Sequence, residues 1–376
     1  MTLARIVETR RVLVCAGAGG VGKTTVAAAL ALGAAGRGRR VLCLTIDPAK
    51  RLADSLGFAG TRGETLVVDP KRLQALGLPS EASLTVSMLD TKRTFDDIIA
   101  RHAPSAVVRD RILENRFYQY VSTSLAGTQS YMAMEKVLAV LDDRRYDLVV
   151  LDTPPTSDAL DFLEAPERLV EALDSPAMRW LVDAFEPSKR LGLGALARGV
   201  AGILRGIGRL TGRGFLEHMA EFVTELNDLF GGFKERAREV SRAFRGEAFA
   251  YVLVAAPQRP ALDEALLFLE RLRALGLRGD AMVLNRVHHR SPPGLSRDDA
   301  AAALGRFGLD PGLAEAVFRA LGDEDAQAKL DAAELVRFDE RLKSVAPEPK
   351  VRIELPLLAV DVHDLSELIP LSAKLV

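Results

Sequence analysis

Val12-Leu13-Val14-Cys15-Ala16-Gly17-Ala18-Gly19-Gly20-Val21-Gly22-Lys23-Thr24-Thr25 sets an apolar run, a glycine-rich turn and the start of an Ala/Leu-rich segment end to end. The run reads as a buried strand and the Ala/Leu-rich segment as a helix. Gly17 to Thr24 fits G-x-x-x-x-G-K-[ST], the phosphate-binding loop. Glycines let backbone N–H groups close around phosphate oxygens, and the helix N-terminus favours an anion. Gly17, Gly19, Gly20, Val21, Gly22, Lys23, Thr24 and Thr25 are therefore the candidate nucleotide-binding residues. Lys23 would reach the β- and γ-phosphates, and the Thr24 hydroxyl would sit on Mg²⁺.

Working outward, 376 residues suffice for one large domain or two ordinary ones. A hydrophobic content of 48% places the chain among globular proteins. A formal charge of −1 supplies no global basic field, so no nucleic-acid partner is expected. Cys15 and Cys43 both fall in predicted buried strands, and no C-x-x-C exists, so neither a zinc site of that type nor a disulfide framework is expected. A cytoplasmic location follows from that cysteine usage. Arg5, Arg10 and Arg11 before an apolar run mimic a signal peptide, but Lys23 interrupts the run and the phosphate loop needs it.

The helix after the loop runs from about 22 to 35 and is apolar nearly all round, hence buried. Strands follow at 40–46, 65–69 and 83–90, with a short helix over 50–57. Residues 91 to about 125 and 130–141 read as helical, and 146–152 is an apolar strand ending in an acid. From 166 to about 245 no strand appears. Strands resume at 249–255 and 280–285, then helix over 296–345, broken near 308–311, then a strand at 351–355 and a small final helix. Strands alternating with helices predict an α/β fold: a doubly wound, mainly parallel sheet carrying the phosphate loop, with an inserted, discontinuous α-helical subdomain. The boundaries drawn are 1–90, 129–165 and 246–376 for the sheet domain, and 91–128 and 166–245 for the helical one.

Two acids stand at strand ends, where open α/β sheets bind ligands. Asp47 can orient an attacking water or reach the Mg²⁺ shell; equally, Asp47-Pro48 is good helix-capping sequence. Asp152 fits the acid that holds Mg²⁺ through water, and Thr153-Pro154-Pro155-Thr156 forms a stiff loop able to sense the γ-phosphate. The plain alternative is a strand-to-helix turn. Lys23, Asp47 and Asp152 are the candidate catalytic residues; Thr24 and Asp152 are the candidate metal-holding ones.

Residues 17–25, Thr45-Ile-Asp-Pro-Ala-Lys-Arg-Leu-Ala-Asp54 and Asp152-Thr-Pro-Pro-Thr156 resemble the arsenical-pump ATPase and tail-anchored-protein targeting ATPase family. Val283-Leu-Asn285 and Leu355-Pro-Leu-Leu358 are similar to that family's late nucleotide-base contacts. The resemblance implies a cytosolic ATPase using ATP and Mg²⁺, a homodimer with ATP at the subunit interface, and hydrophobic client polypeptides such as tail-anchored membrane proteins. It implies Asp47 as the water-positioning acid, Asp152 to Thr156 as the second switch, and Asn285 on adenine flanked by Pro356 and Leu357. By itself, an Asn ending a strand reads as a turn residue. Departures are visible: Ala18 stands where the family has a second lysine, with Lys50 or Arg51 as candidate substitutes, and Ser157-Asp158 replaces Gly-His. The family's metalloid- and zinc-binding cysteines are missing, which counts against arsenite pumping.

In the insert, Leu193, Leu196, Val200, Ile203, Ile207 and Leu210 recur at helical spacing, with Arg190, Arg198, Arg205, Arg209 and Arg213 on another face. Glycines 192, 194, 199, 202, 206, 208 and 212 dilute the segment, each costing a helix about 1 kcal/mol. Phe215, Met219, Phe222, Leu226, Leu229 and Phe233 continue the apolar pattern. A lid over a client groove, a self-buried bundle and a membrane-surface helix all fit it. His288-His289, His102, His218 and His363 lack ligand spacing and read as solvated or capping. The reading favoured is an ATP-hydrolysing switch that binds hydrophobic polypeptide segments. The alternatives are a positioning or partitioning ATPase at a DNA or membrane surface and a nucleotide-latched holdase.

Overall fold

A computed structural model describes residues 2–46, 65–116, 118–119, 122, 128–154, 156–176, 234–291, 294, 296–345, 349–359 and 361–376. Asp47, Lys50, Arg51, Pro155, the helix expected over 50–57 and the apolar pattern of 193–233 lie outside these residues. The chain divides into two compact units. One comprises Met1–Ser87, Tyr146–Ala159 and Glu247–Val376, the other Met88–Arg145 and Leu160–Gly246.

The first unit is built on an eight-stranded sheet in the order β3-β4-β2-β5-β1-β6-β7-β8. The strands are β1 (Val12–Ala16), β2 (Arg40–Thr45), β3 (Thr65–Val67), β4 (Ser83–Met88), β5 (Leu148–Asp152), β6 (Phe249–Ala255), β7 (Ala281–Val287) and β8 (Val351–Pro356). From β2 through β5, β1, β6 and β7 to β8, neighbours run parallel, whereas β3 pairs antiparallel with β4. The sheet is thus mainly parallel, as the strand–helix alternation implied. β1, β5 and β6 are buried along their whole length, which is why they read as unbroken apolar runs.

Two short helices escape the sequence reading. Helix α1 (Leu3–Thr9) occupies the stretch that mimics a signal peptide. Thr2 caps it, and Leu3, Ile6 and Val7 are buried. The Arg39 guanidinium donates to the carbonyls of Val7 and Arg10, closing the end of α1. Helix α2 (Lys23–Gly36) follows the phosphate loop. Helix α3 (Pro70–Ala75) starts where a strand was expected to end: the Asp69 carboxylate accepts the Lys71 N–H at 2.8 Å, and Pro70 fits the first turn.

The other unit is helical among its described residues. It holds α4 (Thr91–His102), α5 (Ala106–Glu114), α6 (Thr128–Asp143), most of α7 (Thr156–Asp174) and α8 (residues 234–244). It takes in α6, which the sequence reading places with the sheet. Phe162 meets Phe244 edge-on, with ring centroids 5.7 Å apart. Buried Glu135 accepts from Tyr131 at 2.5 Å and from Arg236 at 2.9 Å, so its charge is paired and hydrogen-bonded, as burial requires.

After β6 come α9 (Arg259–Ala274), α10 (Arg297–Arg306) and α11 (Ala314–Val345); after β8 comes α12 (Leu365–Leu375). Helix α2 is Ala-rich because it is enclosed on nearly all sides. A Cβ on Gly33 would lie 3.1 Å from Val376, so glycine admits the C-terminus against it.

Candidate functional site

β1 delivers the chain to the carboxyl edge of the parallel sheet, and the loop from Gly17 turns there into α2. Gly20 and Gly22 have φ of 78° and 88°, a left-handed conformation that glycine adopts without steric cost. A Cβ on Gly17 would collide with the Val254 carbonyl of β6, whereas beside Gly19 and Gly20 nothing lies within 4 Å. The loop is therefore packed at its start and open at its crest. Gly22 is the N-cap of α2 and brings no side chain to cap it, so the first N–H groups of α2 face the loop. Such an end suits phosphate oxygens.

Lys23 is buried, and its Nζ donates to the Ala18 carbonyl at 2.8 Å. Ala18 itself packs in the hydrophobic core. Thr25 is half-buried on the first turn of α2. Thr24 Oγ1 donates to Asp152 Oδ2 at 2.9 Å. Asp152 ends β5 and is 1% exposed. Its Oδ2 also accepts from Thr45 Oγ1 at 3.1 Å, and its carbonyl accepts the Ile46 N–H at 3.2 Å. The Thr153 hydroxyl donates to the Cys15 carbonyl at 2.8 Å, pinning the loop after β5 to the end of β1.

These contacts bring Thr24 and Asp152 together, while the neighbouring Lys23 folds back onto the Ala18 carbonyl. The Thr24 hydroxyl and the Asp152 carboxylate are hard oxygen donors, and they fit Mg²⁺, which is typically held by one or two protein groups together with waters and phosphates. Among the described residues no three His, Cys, Asp or Glu gather into a larger metal-binding group. Burial pushes the thiols of Cys15 and Cys43 far up, and the Asp152 carboxylate adds to the effect.

Asn285 is not a turn residue. It lies inside β7, buried, and its Nδ2 donates to the Val21 carbonyl at 2.9 Å. That amide stands where a Cβ on Gly22 would go. Pro356 ends β8 beside Val287, and the Leu357 N–H donates to the Val287 carbonyl at 3.0 Å. Leu357 is half-exposed at the same edge. His288 is not merely solvated either: its N–H and Nδ1 meet Asp331 Oδ2 at 2.9 and 2.8 Å. The residue that sequence reasoning leaves without a role is Thr45. Its one signal is its place at the carboxyl end of β2, within the motif that leads to Asp47.

The profile of the anion-transporting ATPase family, ArsA type, matches residues 10–293. The chain is 25% identical over 281 residues to the ATPase get3 of Aspergillus niger, covering 74% of each chain. It is 25% identical over 281 residues to the ATPase get3 of Aspergillus terreus, again over 74% of each. It is 26% identical over 287 residues to protein Rv2184c of Mycobacterium tuberculosis, covering 74% of this chain and 59% of that one.

Proposed function

The chain belongs to the anion-transporting ATPase family and is an ATPase, and on that footing we propose that it is a nucleotide-driven switch that captures and releases hydrophobic polypeptide segments, tail-anchored membrane proteins among them. The backbone N–H groups from Gly17 to Thr25 cradle the phosphates. Lys23 leaves the Ala18 carbonyl to meet the β- and γ-phosphate oxygens. Thr24 and Asp152 would hold Mg²⁺, Asp152 through water, and the ion would supply charge neutralisation for phosphoryl transfer. Asp47 orients the attacking water, and Asn285, Pro356 and Leu357 border the base. Catalysis is then positioning plus charge stabilisation. The active form is a cytoplasmic homodimer. The helical unit serves the client, and the sheet unit serves the nucleotide.

One observation carries the coupling of nucleotide to client. Helix α7 begins four residues after Asp152, at Thr156, and within it the chain passes from the sheet unit into the helical unit. A change at the second-switch loop thus enters the helical unit along one continuous element. The apolar spacing at 193–210 supplies the client-facing surface. Among the described residues no helix is long and apolar enough to cross a membrane.

The test is co-purification. Full-length protein carrying Asp47→Asn, which should bind ATP and turn over slowly, is compared with the same chain carrying Ile203→Asp and Ile207→Asp. Membrane proteins with a single terminal span should accompany the first and be lost from the second. Identical partners for both would sink the proposal, as would unchanged turnover in Asp47→Asn for that residue's role.

A further inference from the structure

Two hydroxyls converge on one oxygen of Asp152. Thr24 Oγ1 reaches Oδ2 at 2.9 Å from the start of α2, and Thr45 Oγ1 reaches it at 3.1 Å from the end of β2. A threonine hydroxyl has one proton and two lone pairs. With its proton committed to Asp152, Thr24 turns its lone pairs away from the carboxylate, where a hard cation can take them. The direction of those lone pairs depends on where Oδ2 sits.

The backbone of Asp152 is fixed on both sides, opposite Cys15 of β1 and Thr45 of β2. Its carboxylate is not fixed by that, because the terminal torsion of an Asp is broad. A second donor restrains it. Thr45 suits that role because it is 1% exposed, it is the direct ladder neighbour of Asp152, and its β-branch restricts χ1.

We propose that Thr45 is a positioning residue for the metal of the ATPase site: its hydroxyl holds the Asp152 carboxylate so that Thr24 presents its lone pairs to Mg²⁺. The same strand end is bound to Asp152 a second time, through the Ile46 N–H. The segment that leads into Asp47 is therefore registered on the acid that ends β5 by one side-chain and one main-chain bond. This inference rests on the nucleotide-site reading above.

The experiment uses the full chain as wild type, Thr45→Ser and Thr45→Ala. Serine keeps the hydroxyl, and the two variants differ by one oxygen. Calorimetry gives the affinity for ADP in EDTA and then the affinity of the ADP-loaded protein for Mg²⁺. The spectrum of bound Mn²⁺ reports the ligand field independently of turnover. ADP affinity in EDTA should be equal in all three proteins. Mg²⁺ affinity should fall about 10- to 100-fold in Thr45→Ala, the usual effect of removing a group that orients a metal ligand, and stay near wild type in Thr45→Ser.

Equal Mg²⁺ affinity in the Ser and Ala variants would overturn the inference. So would an equal loss of ADP affinity in EDTA, which would make Thr45 a general support of the loop. Wild-type protein that fails to bind ADP at all would remove the nucleotide-site reading first, and the inference with it. Circular dichroism checks folding. If Thr45→Ala does not fold, Thr45→Val keeps the shape, drops the hydroxyl and gives the same comparison.

Discussion

Replacing Asn285 with alanine removes one hydrogen bond, Nδ2 to the Val21 carbonyl at 2.9 Å, from a position 7% exposed. Val21 is buried too, so water cannot readily replace the lost donor. Leaving such a carbonyl unsatisfied costs about 1–3 kcal/mol, or about 5- to 150-fold in an equilibrium constant. The same amide stands where a Cβ on Gly22 would go. Gly22→Ala therefore meets two penalties. Its φ of 88° lies in the left-handed region, which costs a residue with a Cβ about 1–2 kcal/mol. Overlap with the Asn285 amide adds about 1–3 kcal/mol, the usual range for overpacking. In the Asn285→Ala background the overlap is gone and the backbone strain remains. The double variant should thus be about 1–3 kcal/mol less destabilised than the sum of the single ones. Urea unfolding of the four proteins, followed by circular dichroism, closes the cycle. Additivity within about 0.5 kcal/mol would refute the idea that Asn285 fills the place of the missing side chain.

Burial holds Cys15 and Cys43 as thiols, and the thiolate is the reactive form. Iodoacetamide at mildly alkaline pH should leave both unlabelled in native protein and label both in urea; native labelling would mean that the ends of β1 and β2 open to solvent. The hydrogen bond from Arg40 holds the Asp147 carboxyl down at about 2. A depressed folded pKa gives stability that is present above the unfolded value and lost as pH falls through about 2. The pair is half-exposed, so solvent screens it and the effect is small. Asp147→Asn should lower the urea midpoint slightly at neutral pH, and the gap to wild type should narrow as pH approaches 2; a gap independent of pH would refute the assignment. Gly17→Ala would drive a Cβ into the main-chain carbonyl of Val254, which pairing with Val283 of β7 holds in place, so the variant should accumulate only as insoluble protein.

Much of the sheet was legible because buried parallel strands leave a simple trace. β1, β5 and β6 are continuous apolar runs, and the glycine-rich turn after β1 leads straight into an Ala-rich helix. What was not legible is what depends on strand order. Thr45 meets Asp152 because β2 lies beside β5, although 107 residues separate them. Asn285 meets Val21 across β6, 264 residues away along the chain. No local pattern carries either contact, so Thr45 had no role, and Asn285, which the family resemblance places on the base, read by itself as a turn residue. Helix α3 is a different case. Asp69-Pro70 is a good helix start, and the β-branched run before it drew the strand too far. Helix α1 is short, and its stability comes from three buried side chains and the Arg39 guanidinium, not from its own sequence.

The most direct test of the site is calorimetric titration of the protein with a non-hydrolysable ATP analogue and Mg²⁺, for wild type and Lys23→Ala. The loop cradle, with Lys23 held at its Ala18 carbonyl, predicts binding by wild type and its loss in the variant. Wild-type affinity retained in Lys23→Ala would contradict the assignment of the nucleotide to this loop.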